Sequence, residues 1–224
     1  CVRNNGLLQA IDKDSHVIAT QSLTTGDVQC IAAAAAAAAN NNLAALVVAY
    51  TNGALECYNL IGQQFQLQWT TTSLSNVTNL AACDQNVAVI ADNVLYSIEC
   101  RSNDAALEQT KVCTGALCLS YQYRRLAVGL ETGTIQVYEQ LQKRLEIPAE
   151  SSQSRCTHVD WVKPNRLLAG YQNQEDEVSL QILELDSSLS VIERTDLGDV
   201  IPFFSIDDRH VFWTQTIGPL VLVM

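Results

Sequence analysis

Two stretches decide the fold: "LVVAYTNGALECY" (Leu46–Tyr58) and "LAVGLETGTIQVY" (Leu126–Tyr138), which superimpose without a gap when Leu46 is set on Leu126. Each has an apolar run, a short polar turn ending in glycine (Gly53, Gly133), then alternating residues and a tyrosine (Tyr58, Tyr138). Apolar runs of this length bounded by turn residues read as buried strands, and two of them around a Gly-containing turn read as a β-hairpin.

A period of half that offset places further hairpins near 86, 166 and 206, and the sequence has them. "NVAVIADNVLYSI" (Asn86–Ile98) is expected to turn at Asp92-Asn93, and "RLLAGYQNQEDEVSLQIL" (Arg166–Leu183) at a longer polar tip. "HVFWTQTIGPLVLV" (His210–Val223) is expected to turn at Gly218-Pro219, and "GLLQAIDKDSHVIATQ" (Gly6–Gln21) supplies an early copy. Between the hairpins lie the strand candidates "QFQLQWT", "NVTNLAAC", "ALCLSY" and "CTHVDWV". Four short strands in a period of about 40 residues are the signature of a β-propeller blade, whereas a β-sandwich needs about seven strands in all and no such period. The fold class is therefore all-β, a β-propeller of four-stranded WD-like blades. The 224 residues read as a single propeller domain, 1–224, holding roughly five and a half blades. Either the propeller is a small one or, as seven blades are common, the ring is incomplete and seven-bladed when complete, which is the expectation taken here.

One segment breaks the pattern. Eight alanines, Ala32 to Ala39, run into Asn40-Asn41-Asn42. So short a run is too brief for a stable isolated helix and offers no amphipathic face, so 32–42 reads as a low-complexity insertion between strands. The alternative is that the alanines stand for unassigned residues.

Composition excludes several function classes. With 13 Lys+Arg against 24 Asp+Glu the formal charge is 13 − 24 = −11, and no basic cluster exceeds Arg124-Arg125 or Lys143-Arg144. Direct binding of nucleic acid is not expected of such a chain. No run of about 18 apolar residues is present, since Leu43–Leu60 is broken by Thr51-Asn52-Gly53 and Glu56, so membrane insertion is not expected and the chain reads as soluble. The eight cysteines (Cys1, Cys30, Cys57, Cys83, Cys100, Cys113, Cys118, Cys156) are scattered singly, mostly in apolar runs, and read as small core residues of a reducing compartment. The start at Cys1, without a signal peptide, reads as a fragment of a longer chain, and the sequon Asn76-Val77-Thr78 as a chance match.

No catalytic constellation stands out in the sequence. Neither G-x-S-x-G, GxxxxGK[ST] nor GxGxxG occurs, and Gly129 and Gly133 read as a strand residue and a hairpin turn. His16 and His210 fall in expected strands. His158 and Asp160, two apart and so on one face of a strand, could touch, but read as a structural hydrogen-bonding device of the blade. No catalytic residue, cofactor or metal site is expected.

What remains is a binding surface. Acidic residues gather in turns: Asp12 and Asp14 in the first hairpin, Glu175-Asp176-Glu177 in the fifth, and Asp207-Asp208 before "RHVFW". Each cluster can be read as solvated turn residues that keep the chain soluble. Turns at equivalent blade positions project from one propeller face, so their charges also add to a field that selects basic protein partners.

The stretch "YRRLAVGLETGTIQVYEQLQKRLEIPAE" followed by "CTHVDWVKPNRLLAGY" (Tyr123–Tyr171) resembles the N-terminal β-propeller of the cytoplasmic-filament FG nucleoporins, the CAN family of the nuclear pore. The matching elements are the "LAVG-x-x-x-GT" hairpin (Leu126–Thr134), the polar strand Leu141–Arg144, Ile147-Pro148, and Val159-Asp160-Trp161. The acidic tip "NQEDEVSLQIL" resembles a hairpin insertion of some members. The resemblance implies a non-catalytic domain that docks the DEAD-box RNA helicase of mRNA export, alongside other nuclear pore subunits, at the cytoplasmic side of the nuclear pore complex. It implies an acidic face meeting basic residues of the helicase in competition with RNA, with Glu175, Asp176 and Glu177 as first contact residues and Asp207 and Asp208 as second. The alternative functions are a propeller scaffold of a coat or vesicle-tethering complex and, less favoured, a substrate receptor of the ubiquitin-ligase kind.

Overall fold

The computed structural model describes residues 2–3, 7–11, 16–35, 44–72, 74–83, 86–99, 109–149, 154–206, 210–215 and 218–223. Their ordered elements are strands. β1 (Val2–Arg3), β2 (Leu7–Ile11) and β3 (Val17–Ser22) form a three-stranded sheet. Three four-stranded meanders follow: β4 (Val28–Ala35), β5 (Ala44–Tyr50), β6 (Leu55–Ile61) and β7 (Gln64–Thr71); β8 (Val77–Cys83), β9 (Asn86–Ala91), β10 (Val94–Glu99) and β11 (Gln109–Thr114); then β12 (Ala116–Gln122), β13 (Arg125–Leu130), β14 (Ile135–Glu139) and β15 (Gln142–Ile147). The last sheet joins β16 (Arg155–Lys163), β17 (Arg166–Gln172), β18 (Val178–Leu185), β19 (Val191–Ile206), β20 (His210–Gln215) and β21 (Gly218–Val223). β19 serves twice: its first part pairs with β18 and the part from Ile201 pairs with β20. The second strands β5, β9, β13 and β17 start at Ala44, Asn86, Arg125 and Arg166, which repeats the blade period read from the sequence.

The chain divides into two compact units, 1–112 and 113–224, the boundary falling within β11. In the first unit, alternate residues of β5 feed two cores. Val47 and Ala49 pack with Leu55, Cys57, Val87, Val89 and Ile98, while Val48 and Tyr50 pack with Leu8, Leu23 and Tyr58. A strand covered on both faces has no polar side to show, which is why β5, β9, β13 and β17 read as continuous apolar runs instead of alternations. In the second unit Trp161, Leu167, Ala169 and Leu183 meet Ala127, Ile135, Val137 and Ile147 in one cluster. The fourth strands β7 and β15 are largely exposed.

The tips repeat in atomic detail. Gly53 N–H donates to Tyr50 O and Tyr50 N–H to Ala54 O, each at 2.9 Å; Gly133 N–H to Leu130 O and Leu130 N–H to Thr134 O repeat both bonds at 2.9 Å. Gly53 and Gly133 have φ of 83° and 76°, where a side chain is strained. A Cβ on Gly53 would overlap Leu74 O, and one on Gly133 would stand 2.5 Å from Ser154 O, so each tip lies flush against the segment entering the next sheet. Leu74 and Ser154 are themselves related by the same offset as the two glycines. A further bond anchors each tip to the start of its own sheet: Thr51 N–H to Asp27 O at 2.8 Å and Glu131 N–H to Gly115 O at 2.8 Å.

Three expectations need correction. Gly218 and Pro219 are not the turn of the last hairpin but its second strand, paired with Gln215 and Thr214. The alanine run does not all lie between strands: Ala32–Ala35 continue β4 in register with Val47–Ala44, because a partner strand with open backbone groups outweighs alanine's modest helix preference. Residues 36–42 of the expected insertion lie outside the described residues, as do Asp12 and Asp14. His16 precedes β3 and is not part of it. Asp92 and Asn93 turn as expected, with φ of 49° and 58°.

Candidate protein-interaction face

The fifth hairpin carries the acidic tip, and its backbone explains the sequence. Asn173 N–H donates to Glu177 O at 3.0 Å and Asp176 N–H to Asn173 O at 3.3 Å, the bonding pattern of the Gly53 and Gly133 tips with Asp176 (φ 62°) in the glycine place. Asn173 locks the loop: its Oδ1 accepts from Glu175 N–H and Glu177 N–H, both at 2.9 Å, and its Nδ2 donates to Glu177 Oε2 at 2.9 Å. An Asn that accepts from two amides ahead of it is a local turn former, and here it fixes three successive carboxylates in exposed positions.

The acids do not act alike. Asp176 lines a groove of about 450 Å³ with Glu131, Ser154, Arg155, Gln172, Asn173 and Gln174. Its Oδ1 accepts from Gln172 Nε2 at 3.0 Å and faces Arg155 Nη2 at 3.6 Å. Glu175 and Glu177 do not line the groove. The structure thus brings Asp176 together with two residues that sequence reasoning missed, Glu131 and Arg155. Glu131 was legible in principle, being the turn residue that matches Thr51 when the two hairpins are superimposed; Arg155 carries no signal beyond preceding a strand. Asp207 and Asp208, the second pair of expected contact residues, lie outside the described residues.

The histidine and aspartate of "THVDW" are held in the sheet. Asp160 accepts from Ser120 Oγ of β12 at 2.5 Å and from Trp161 N–H at 2.8 Å, joining adjacent sheets. Burial raises its carboxyl above the usual range, against the pull of those two donors. His158 is pushed down to about 4 by burial, so it is neutral at pH 7. Among the described residues no group of three His, Cys, Asp or Glu is placed to hold a metal ion, and no helix is long and apolar enough to cross a membrane. Cys57, Cys118 and Cys156 are buried thiols outside any disulfide, and Cys30 and Cys113 are half-buried ones.

No family model matches the chain, and neither does any curated protein. Solved structures do. The WD40 β-propeller domain of Doa1 superimposes with a TM-score of 0.60 over 89% of this chain and 66% of its own, at 12% identity. The fold is a β-propeller. The N-terminal domain of Nup159 matches this propeller with a TM-score of 0.55 over 86% of the chain and 61% of its own length, at 14% identity. A structure of S. cerevisiae Dbp5 bound to Nup159, Gle1, IP6 and ADP matches with a TM-score of 0.59, at 14% identity, over 97% of the chain and 73% of the matched one. The propeller described here spans about two thirds of the length of the solved chains it resembles. At such identities the likeness is one of fold.

Proposed function

We propose that this β-propeller, residues 1–224 taken as one domain, is a non-catalytic protein-interaction module whose acidic hairpin tip receives a basic surface of a partner protein, and that the partner is a DEAD-box RNA helicase at the cytoplasmic side of the nuclear pore. The observation that carries the reading is the tip itself: Glu175, Asp176 and Glu177 are held exposed by Asn173, beside a groove to which Glu131 adds a further carboxylate. Fixed carboxylates bind cations with less ordering cost than mobile ones, and steer basic partners while repelling RNA. The helicase is favoured as partner by the "LAVG…GT" to "VDW" resemblance and by the fold likeness to Nup159, which is bound to Dbp5 in a solved complex. Asp207 and Asp208 are proposed as secondary contacts of the same partner.

The test is a triple charge reversal, Glu175→Lys, Asp176→Lys and Glu177→Lys, assayed for binding to purified DEAD-box helicase with and without RNA at two salt concentrations. Affinity is expected to fall about tenfold or more and its salt dependence to flatten. Unchanged affinity sinks the site; a wild-type propeller that binds no helicase sinks the partner. The second reading, a propeller scaffold subunit of a coat or vesicle-tethering complex, rests on the fold alone, which the WD40 propeller of Doa1 shares as well as the Nup159 domain does.

A further inference from the structure

The opposite end of the second unit has the reverse character. The tip of β13–β14 and the acidic tip of β17–β18 share one end, where Gly133 abuts Ser154 and Glu131 shares a groove with Asp176. The turns β12–β13, β14–β15 and β16–β17 therefore share the other end, and Arg125 Nη1 donating to Pro164 O at 2.7 Å ties two of them together.

Two of these turns are built from the wrong residues. Tyr123 and Arg124 have φ of 53° and 60°, and Gln140 and Leu141 have φ of 50° and 63°, so both central residues of each turn are left-handed. Such turns favour Asn and Gly, and bulky side chains there are strained. Two other turns follow that preference, with Asp92-Asn93 in one and Gly62 (φ 61°) opening the equivalent turn of the first unit, while the bulky left-handed Leu189 (φ 65°) is buried in the core. At Tyr123 and Leu141 the strain is not offset by burial, since Tyr123 is 45% exposed and Leu141 37%. Strained residues that serve no core are drawn to places where a ligand uses the side chain.

The charges point to what that ligand is. Glu139 is shared by two guanidiniums, Arg125 Nε at 2.7 Å and Arg144 Nε at 3.8 Å. Arg124 is exposed on the turn itself, and Lys163 is exposed at the end of β16 beside Pro164. Asp186, in the turn after β18, is engaged by Ser188 N–H at 2.9 Å and Ser190 N–H at 2.8 Å.

We propose that this end of the second unit is a second docking surface, which takes an acidic peptide segment bearing apolar side chains, its carboxylates on Arg124, Arg144 and Lys163 and its apolar groups on Tyr123 and Leu141. A purely anionic ligand would leave the two apolar side chains without purpose, and the net charge of −11 disfavours a nucleic acid at the same cations. With acidic and basic docking surfaces at opposite ends, the unit could hold a basic partner and an acidic segment at once.

The test titrates the protein with a short labelled peptide repeating Asp-Phe-Glu-Leu, with a poly-glutamate peptide, and with oligouridine RNA, by fluorescence anisotropy. The mixed peptide is expected to bind at least about tenfold tighter than poly-glutamate. The pair Arg124→Glu and Arg144→Glu is expected to lose that binding, while the charge reversal at 175–177 leaves it in place. A second variant, Tyr123→Asn with Arg124→Gly, is expected to raise the thermal midpoint and abolish peptide binding together. Equal binding of poly-glutamate, preferential binding of RNA, indifference to the charge reversal at Arg124 and Arg144, or a lower midpoint in the turn variant would each overturn the proposal.

Discussion

The β4–β7 and β12–β15 sheets are two versions of one blade, Leu46–Tyr58 of the first matching Leu126–Tyr138 of the second, and they differ at a polar position of the third strand that is buried in the first and half-buried in the second. In the first, Glu56 on β6 is buried and accepts from the hydroxyls of Thr25, Tyr50 and Tyr58, the last at 2.7 Å. In the second, the matching residue is Gln136, which accepts from Tyr138 at 2.6 Å, and Leu130 replaces Tyr50. Burial works to raise the Glu56 carboxyl, yet the three hydroxyls together hold it below the usual carboxylate range. One blade has therefore a buried charge fully supplied with donors and the other a neutral amide. The same backbone accepts either, provided that the polar atoms find partners.

The comparison breaks first at the tips. Gly53→Ala and Gly133→Ala should each cost about 3 kcal/mol or more, combining a left-handed side chain of about 1–2 kcal/mol with overpacking of about 1–3 kcal/mol. Urea unfolding measures both, and a tolerated alanine at either site would show that the tips are not equivalent against the next sheet. At the buried polar position, Glu56→Gln should destabilise by about 2 kcal/mol, because charge-assisted bonds are lost, whereas Gln136→Glu lacks two of the donors needed to hold a charge. The pH dependence sharpens this. A carboxyl whose folded pKa lies below its unfolded value of about 4.3 contributes stability that is present above that value and lost as pH falls through the folded one. Wild type should thus lose stability below about pH 4.3 more steeply than Glu56→Gln does, as read from urea midpoints across the acid range; parallel curves would remove the buried charge from the account. The smallest effect belongs to the third tip, where Asp176 stands in the glycine place. Asp176→Gly should gain no more than about 0.5 kcal/mol, since Asp tolerates the left-handed region and the change forfeits the Gln172 and Arg155 contacts. A clear loss in thermal midpoint would mean that those contacts outweigh the backbone.

The outer strands diverge as well. β7 runs Gln-Phe-Gln-Leu-Gln-Trp-Thr-Thr without a charge, and β15 runs Gln-Lys-Arg-Leu-Glu-Ile, but both carry a bulge, at Gln68 and at Arg144. Charges and bulges are two ways of discouraging edge pairing, and the first of these blades relies on the bulge alone. Neither bulge can be read from the sequence, because one extra residue in an exposed strand changes no hydrophobic pattern that a reader could follow.

Much of the architecture was legible in the sequence because it rests on local chemistry repeated at a fixed interval. The apolar runs, the glycines at 53 and 133, the Asp92-Asn93 turn and the regular blade period specify hairpins and their succession, since φ > 0 at a tip and burial on both faces of a strand are demands met by residue type alone. The acidic tip at 175–177 was legible for the same reason, as a polar interruption between two apolar runs. What the tertiary structure decided is which of these residues meet. The company of Asp176, Glu131 and Arg155 in one groove joins turns from two sheets, and the three hydroxyls on Glu56 come from residues 25, 50 and 58. Strand pairing likewise overrode the propensity of Ala32–Ala35 and put Gly218-Pro219 in a strand. A period in the sequence fixes what each blade is made of; the side chains that face each other across neighbouring sheets depend on how the sheets stack, and that information is held by no single stretch of the chain.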